Sequence, residues 1–206
     1  MQAELLDTPA LFETFRSDLP ETFGLHLDRL EKSAQTLGFS FPYRAEISAR
    51  LSALPDSLHA IRIFLFRDHY RLSLTLYTTP HQPSPLTLTP ATPLDLPAAH
   101  KHTLRKPWVT LENKVGTELI FHANGHLLET SRAAIVARID GQLYTPPQNL
   151  DLLPSITCRR LIESGQVLEC PIPVAALARA ELFVASALRG LHPAILTGVL
   201  DGSGSC

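Results

Sequence analysis

The sequence has little cysteine, and its three residues, Cys158, Cys170 and Cys206, follow neither a disulfide framework nor a zinc-binding spacing. An odd number of unpatterned cysteines is typical of a protein from a reducing compartment. The first residues, MQAELLDTPALFETFR, carry acidic side chains where a secretory signal needs a basic region followed by an apolar one. A cytoplasmic location is therefore expected.

Strong net charge and long apolar runs are also absent. The 206 residues carry a formal net charge of −2, which provides no broad basic surface for nucleic acid. No apolar run approaches the ~20 residues that span a bilayer. Neither nucleic acid nor a membrane is expected as a partner. With 45% hydrophobic and 18% charged residues, the chain can bury a core as one unit or as two small domains.

Common catalytic signatures are missing as well. The sequence has no GxGxxG, P-loop, GxSxG or HExxH string, so nothing supports dinucleotide, nucleotide or serine-hydrolase chemistry. The sequence has nine histidines, and close pairs occur at His100 and His102 and at His122 and His126. A zinc site needs three or four converging ligands, including an acid or a thiol. No metal site is expected.

Lysine is scarce: 14 of the 18 basic residues are arginine, and the four lysines are Lys32, Lys101, Lys106 and Lys114. A GC-rich genome also enriches arginine, so scarcity alone assigns no role to a lysine. Lys101 differs from the others because strand-like and apolar sequence flanks it. It is the candidate functional lysine, and the alternative is an ordinary solvated loop residue.

The chain is predicted to begin with a short strand and a helix. Leu11–Arg16 alternates apolar and polar residues, which predicts a strand with Thr14 and Glu13 on opposite faces. Apolar residues at helical intervals then predict a helix that ends at Gly38. Arg29 is expected near the first turn of this helix, where the helix dipole disfavours a cation.

A small α+β domain over residues 1–80 completes the first half. A second helix is predicted between Pro42 and Pro55, and residues 59–78 are predicted to form two antiparallel strands joined at Asp68-His69. Residues 81–99 then hold many of the chain's 17 prolines. Since proline disfavours helices and central strands, we expect an extended connector with at most an edge strand.

A larger second domain is predicted over residues 100–200, with a disordered tail at 201–206. Asn124-Gly125 and Asp140-Gly141 favour type I′ turns and predict two successive hairpins that form a meander. A helix is predicted from Ser155 to Ser164, capped by Ser155 and closed by Gly165. Short strands and a short helix follow, which makes this an α/β unit.

Three segments of this second half carry complementary chemistry: HKHTLR at 100–105, NGHLLETSR at 124–132 and LPSIT at 153–157. They supply an amine, a carboxylate and a small-residue loop that opens a helix. Pyridoxal phosphate needs these groups, because its aldehyde binds an amine, its ring nitrogen an acid, and its phosphate free N–H groups.

The order of motifs along the chain resembles a known enzyme family. These motifs are ETFR, HLDRLEKSA, HKHTLR, LLETSR, DGQLYTPP, LPSIT and AELFVASALRGLHPAIL. The arrangement resembles the fold-type IV, or class IV, pyridoxal phosphate enzymes, which include aminodeoxychorismate lyase and the branched-chain and D-amino-acid aminotransferases. The similarity covers most of the chain and is greatest to the lyases. It implies the class IV aminotransferase-like fold, a homodimer and a functional link to aminodeoxychorismate synthase.

The resemblance also implies roles for individual residues. Lys101 matches the lysine that bonds to the cofactor and then moves protons, and Glu129 matches the acid that pairs with the ring nitrogen. Arg29 matches the arginine that reaches the phosphate. Ile156 and Thr157 match the turn whose amides bind it.

Several positions depart from the family pattern. Ser155 replaces the usual glycine, Cys158 the arginine after the threonine, and Ala134 the family asparagine. The second phosphate loop has Ala187 and Leu188, which offer no hydroxyl. Because backbone donors survive these changes, we expect weaker cofactor binding rather than none.

The function implied most directly is conversion of 4-amino-4-deoxychorismate to 4-aminobenzoate and pyruvate, a lyase step of folate synthesis. In the lyases a threonine occupies the position of Thr14, where branched-chain aminotransferases carry glycine, and an arginine occupies that of Arg105. A hydroxyl can relay a proton to the leaving group, and a guanidinium can hold a substrate carboxylate. The alternatives are a class IV aminotransferase of branched-chain or D-amino acids and a non-catalytic homologue that still binds the cofactor.

Overall fold

The computed structural model describes most of the chain, namely residues 8–54, 57–91, 94 and 97–200. The predicted disordered tail at 201–206 and the predicted helix end at residue 55 lie outside the described residues. The chain divides into two compact units. The first comprises residues 1–79 and 100–105, and the second comprises residues 80–99 and 106–206.

In its described residues, the first unit is an antiparallel sheet of three strands with two α-helices. The strands are β1 (Leu11–Arg16), β2 (His59–Leu65) and β3 (Tyr70–Leu76), and the helices are α1 (Phe23–Leu37) and α2 (Arg44–Ser52). The predicted first strand, both helices and the β2–β3 hairpin are confirmed, since β2 and β3 pair antiparallel around Asp68-His69.

Helix α1 forms where the apolar residues recur at helical spacing. Leu27, Leu30 and Ala34 are all buried, as an amphipathic helix requires. The helix ends at Gly38, whose φ of 69° places it in the left-handed region that a glycine adopts without steric cost. The predicted stop is therefore confirmed.

A segment distant in sequence completes the first unit. Leu11 lies opposite His102 in an antiparallel bridge. On either side of this bridge, the N–H of Phe12 donates to the carbonyl of Lys101 at 2.9 Å, and the N–H of Thr103 donates to the carbonyl of Ala10 at 2.9 Å. This short stretch extends the sheet along the free edge of β1.

The part of the second unit that the structure describes contains a curled sheet of eight strands and two α-helices. The strand order is β6-β5-β4-β11-β10-β7-β8-β9. Its elements are β4 (Ser84–Pro90), α3 (Lys106–Val115), β5 (Glu118–Ala123), β6 (His126–Thr130), β7 (Ala134–Ile139), β8 (Gln142–Thr145), α4 (Ile156–Glu163), β9 (Val167–Glu169), β10 (Glu181–Ser186) and β11 (Gly190–Val199). The predicted short helix after β9 is a 3₁₀ turn, Val174–Ala178.

The expectation for the proline-rich connector was wrong. Its strand β4 is central and pairs in parallel with both β11 and β5. The strand tolerates proline because Pro85 and Pro90 lie near its two ends, which leaves Leu86–Thr89 to donate N–H groups. This strand also explains why residues 80–99 belong to the second unit, whereas residues 100–105 group with β1.

The two predicted hairpins are confirmed, but the meander is not. Asn124 and Asp140 both have φ of 50°, and the glycine after each is also positive, as type I′ turns require. Hairpins β5–β6 and β7–β8 are nevertheless separated in the sheet by β4, β11 and β10. The strands between them come from before the first hairpin and after the second, an arrangement that local turn signals do not encode.

Helix α3 was not predicted, and α4 was. Trp108 of α3 packs on Phe121 of β5, with ring centroids 4.6 Å apart. Ser155 caps α4 by accepting from the N–H of Cys158, as expected. Among the described residues, no helix has both the length and the apolar character to cross a membrane.

Candidate functional site

Lys101 lies on the ring of Phe12. Its Nζ is 5.1 Å from the ring centroid, and the guanidinium carbon of Arg105 is 6.0 Å from the same centroid. Both cations therefore share one face of β1, where an aromatic surface attracts positive charge. The bonds between Lys101 and β1 fix the backbone from which the amine extends.

The environment of Lys101 favours its neutral form. Burial lowers the pKa of the Lys101 ammonium to about 7, and the charges of Arg29, Arg105 and Arg62 lower it further, while Glu13 opposes them. An amine with a pKa near neutrality is a nucleophile and can also exchange protons. This property is the one a lysine that bonds to an aldehyde requires.

A buried charged cluster lies between β1 and α1. The carboxylate of Glu13 accepts two hydrogen bonds from Arg29, at 2.7 Å from Nε and 2.6 Å from Nη2. It also lies 2.7 Å from Nδ1 of His26, whose ring stacks on Phe15. Glu13 and His26 are almost fully buried. Neither was singled out from sequence, although a carboxylate on an apolar strand face is a usable signal.

Protonation in this cluster follows from its pairing. Burial raises the pKa of Glu13, but the charge of Arg29 and the hydrogen bonds from His26 and Arg29 outweigh burial and hold that pKa well below its usual range. Burial lowers the pKa of His26, and the hydrogen bond to Glu13 opposes the shift. Glu13 is thus ionised, and its hydrogen bonds fix the orientation of Arg29.

Arg29 lies further along α1 than expected. It is the seventh residue of the helix rather than part of the first turn, so the unfavourable dipole contact does not arise. The guanidinium edge formed by Nε and Nη2 is occupied by Glu13. The role of Arg29 at a phosphate remains a prediction.

Thr14 lies on the same face of β1 as Phe12, since alternate residues of a strand share a face. The strand register places Arg62 of β2 directly opposite Thr14. Arg62 is a member of this face that the sequence reasoning missed, because only the β1–β2 register brings it there. Within the first unit, the structure therefore brings Thr14, Lys101 and Arg105 to one face.

Glu129 lies in a bulge of the second unit. Ile120 of β5 opposes Thr130 of β6 and His122 opposes Leu127, so two residues of β6, Leu128 and Glu129, face one residue of β5. Bulges re-aim side chains and occur next to active sites. The Glu129 side chain is buried at 8% exposure, which is unusual for an acid without a function.

Ile156 and Thr157 begin helix α4. The hydroxyl of Ser155 accepts from the N–H of Cys158 at 3.2 Å, so that donor is already used. The first N–H groups of a helix have no intrahelical acceptor, which leaves those of Ile156 and Thr157 suited to an anion. Cys158 packs with Ala185 of β10, and this contact seats the first turn of α4 on the sheet.

Ala187 and Leu188 lie in the turn between β10 and β11. The next residue, Arg189, makes a bidentate ion pair with Glu118, at 2.6 Å from Nη1 and 3.1 Å from Nη2. This pair was not expected from sequence, since its residues lie 71 positions apart.

The residues predicted to bind pyridoxal phosphate fit that group chemically. The first unit supplies an amine of lowered pKa at Lys101, and the second supplies a buried acid at Glu129 and helix amides at Ile156 and Thr157. These are the three kinds of donor that the aldehyde, ring nitrogen and phosphate need.

Comparison with known proteins yields one family and many structural relatives. The family model of amino-transferase class IV matches residues 10–195. No curated protein matches the chain. A candidate amino-acid aminotransferase from Mesorhizobium loti is 28% identical, with 92% of this chain and 100% of that chain covered and a TM-score of 0.77.

Two further solved structures share the fold at lower identity. A candidate 4-amino-4-deoxychorismate lyase from Legionella pneumophila is 21% identical, covers 92% of this chain and 82% of that chain, and has a TM-score of 0.73. A hypothetical aminotransferase from Mycobacterium tuberculosis, in its alpha-ketoglutarate and PMP bound form, is 19% identical. The match covers 91% of this chain and 81% of that chain, with a TM-score of 0.74.

The predicted family and its mixed α/β fold are therefore confirmed. Because the family model spans residues 10–195, the chain belongs to the class IV aminotransferases, and its cofactor is pyridoxal phosphate.

Proposed function

We propose that this chain is a lyase that converts 4-amino-4-deoxychorismate to 4-aminobenzoate and pyruvate. The observation that supports it most is the face of β1 that Thr14 shares with Lys101 and Arg105. A proton-transferring amine, a hydroxyl and a carboxylate-binding cation are the groups that such an elimination needs.

Each residue has a role in the proposal. Bound pyridoxal phosphate supplies an electron sink for the carbon that bears the substrate amine. Lys101, with a pKa of about 7, accepts the proton from that carbon. Thr14 relays a proton to the enolpyruvyl group as it leaves, and Arg105 holds a carboxylate of the substrate. In the second unit, Glu129 keeps the cofactor's ring nitrogen protonated, and Ile156, Thr157, Ala187 and Leu188 present backbone amides to its phosphate.

Replacement of Thr14 tests the proposal. Thr14→Ala should lower 4-aminobenzoate formation by about 10²-fold, the usual contribution of one proton-transferring group, with unchanged cofactor absorbance. Thr75→Ala, an exposed threonine of β3, is the control and should keep full activity. Full turnover by the Thr14 variant would contradict the assignment.

An aminotransferase is the second candidate function. The observation in its favour is the 28% identity to the candidate amino-acid aminotransferase from Mesorhizobium loti. Pyruvate release from aminodeoxychorismate and amino transfer from branched-chain or D-amino acids to 2-oxoglutarate should be measured on one preparation. Faster transfer than release would replace the lyase with an aminotransferase, and a colourless protein that cannot be reconstituted would indicate a non-catalytic homologue.

We also propose a cytoplasmic homodimer whose substrate comes from an aminodeoxychorismate synthase. The cytoplasmic location is supported by the free thiols of Cys158 and Cys170. A dimer is supported by the apolar side chains exposed on edge strand β3, Leu74 and Leu76.

A further inference from the structure

We propose that Arg189, Glu118 and Thr130 form a positioning bridge that holds the 187–188 turn at a fixed distance from Glu129. The inference rests on the proposed roles of that turn at the phosphate and of Glu129 at the ring nitrogen. None of the three residues is assigned a contact with the cofactor, so they are positioning residues.

The bridge begins in the turn between β10 and β11. Arg189 follows Ala187 and Leu188 directly, and its N–H donates to the Ser186 hydroxyl at 3.1 Å, which closes the turn. Its guanidinium reaches across the sheet to the Ser84 hydroxyl, at 2.9 Å, and to both carboxylate oxygens of Glu118. Side-chain exposures of 15% for Arg189 and 7% for Glu118 show that water scarcely competes for this pair.

The bridge ends beside Glu129. The Thr130 hydroxyl donates to Glu118, and it accepts from the N–H of Ala133 at 2.8 Å. The N–H of Thr130 donates to the carbonyl of Ala133 at 2.9 Å. The residue that follows the bulge is therefore fixed to the next turn by its backbone and to Glu118 by its side chain.

The order of strands makes this a continuous polar row. Arg189 precedes β11, Ser84 begins β4, Glu118 begins β5 and Thr130 ends β6. These strands are consecutive neighbours in the sheet, and β6 alone runs antiparallel to the others. All four residues consequently lie at the same end of the sheet. A movement of the 187–188 turn would therefore have to stretch the contacts that end beside the bulge at Glu129.

A fixed spacing matters because the second phosphate loop, at Ala187 and Leu188, offers no hydroxyl donor. A site that depends on backbone amides must hold them in place before the ligand arrives, since ordering them on binding would cost affinity. Charge-assisted, bidentate hydrogen bonds provide such rigidity better than neutral ones.

Thr130→Val tests the bridge because it removes the hydroxyl and keeps the shape. Backbone amide exchange of the cofactor-free protein should become faster both at 128–131 and at 187–190. Thr89→Val is the matched control: Thr89 is a buried threonine of the same sheet, and its substitution should leave both segments unchanged. Unchanged exchange at 187–190 in the Thr130 variant would overturn the proposal.

Cofactor affinity provides the second measurement. The dissociation constant of pyridoxal phosphate should rise about tenfold in Thr130→Val, as expected for one lost hydrogen bond to a charged group, and should not change in Thr89→Val. Equal affinity in the Thr130 variant and wild type would also overturn the bridge, while the proposed function would stand. If wild type bound no pyridoxal phosphate, the proposed function would fail, and the exchange experiment would still decide the bridge.

A double-mutant cycle tests the path through Glu118. Glu118→Gln keeps the side-chain shape, and its effect on exchange at 187–190 should not add to that of Thr130→Val, because both act on one contact. Full additivity would show that Thr130 acts on the turn by another route and would contradict the bridge.

Discussion

At the residue scale, the protonation of Lys101 is the property on which the proposed chemistry depends. Burial and the neighbouring arginines bring its pKa to about 7, so its neutral amine should reach half its population near that pH. An ordinary lysine reaches this point near pH ~10.4. Pulsed acetylation of the cofactor-free protein followed by mass spectrometry should show reactivity at Lys101 rising through pH 7, with exposed Lys114 as the reference for the reagent. A rise only above about pH 9 would contradict the assignment.

The Glu13–Arg29 pair allows a second test at this scale, because the first unit holds an exposed pair of the same geometry. Arg16 binds both oxygens of Asp18 at 2.8 and 2.7 Å near solvent, whereas the Glu13 pair is buried. Glu13→Gln should lower the free energy of unfolding by about 3 kcal/mol, because it removes the carboxylate charge that pairs with a buried guanidinium. Asp18→Asn should cost under about 1 kcal/mol.

Urea denaturation measures both free energies of unfolding. A similar loss of unfolding free energy in the two variants would show that burial does not increase the contribution of the Glu13–Arg29 pair to stability. Glu13→Gln should also lower the pKa of Lys101 further, since the Glu13 carboxylate is the acid that raises it.

At the element scale, Gly24 in helix α1 and Gly38 at its C-cap have opposite requirements. Gly38 ends the helix at φ +69°, a backbone conformation that is strained for a residue with a side chain. Gly24 lies inside the helix, and a Cβ added there would meet no atom within 4 Å. Gly38→Ala should destabilise the protein by about 1 kcal/mol, and Gly24→Ala should stabilise it by about 0.5 kcal/mol. Thermal unfolding of the two variants should shift in opposite directions. A shift of the same sign in both would contradict the conformational explanation.

The elements also show which local sequence patterns predict secondary structure correctly. Turn dipeptides and caps predicted both hairpins and helix α4, because those conformations depend on residues adjacent in sequence. Helix α3 was not predicted, and β4 was expected at most as an edge strand, whereas it is central. Trp108 is held by its packing on Phe121, and β4 is held by two parallel neighbours distant in sequence.

At the scale of the whole molecule, the proposed homodimer can be tested on strand β3. Leu76 is 76% exposed on this edge strand, and Thr75 precedes it on the opposite face. Light scattering at micromolar concentration should give the mass of a dimer for wild type. Leu76→Asp should shift the mass towards the monomer, and Thr75→Asp should not. A monomeric wild type with full activity would contradict the proposal.

The candidate site was predicted in part. The motif order predicted roles for Lys101 and Glu129, and the structure shows a lowered pKa for the first and a bulge at the second; their roles stay predictions. The motif order could not identify Glu13 or Glu118, because an acid forms an ion pair only where the fold brings an arginine to it. Their partners, Arg29 and Arg189, lie on other elements.

The sequence by itself determined the family, the hairpin turns and the helix ends, since each depends on residue types at fixed short spacings. Only the tertiary structure decided the strand order within each sheet, the edge on which Lys101 meets β1, and the ion pairs Glu13–Arg29 and Glu118–Arg189. These depend on contacts between distant segments, whose free energy comes from burial and is not encoded at any one position.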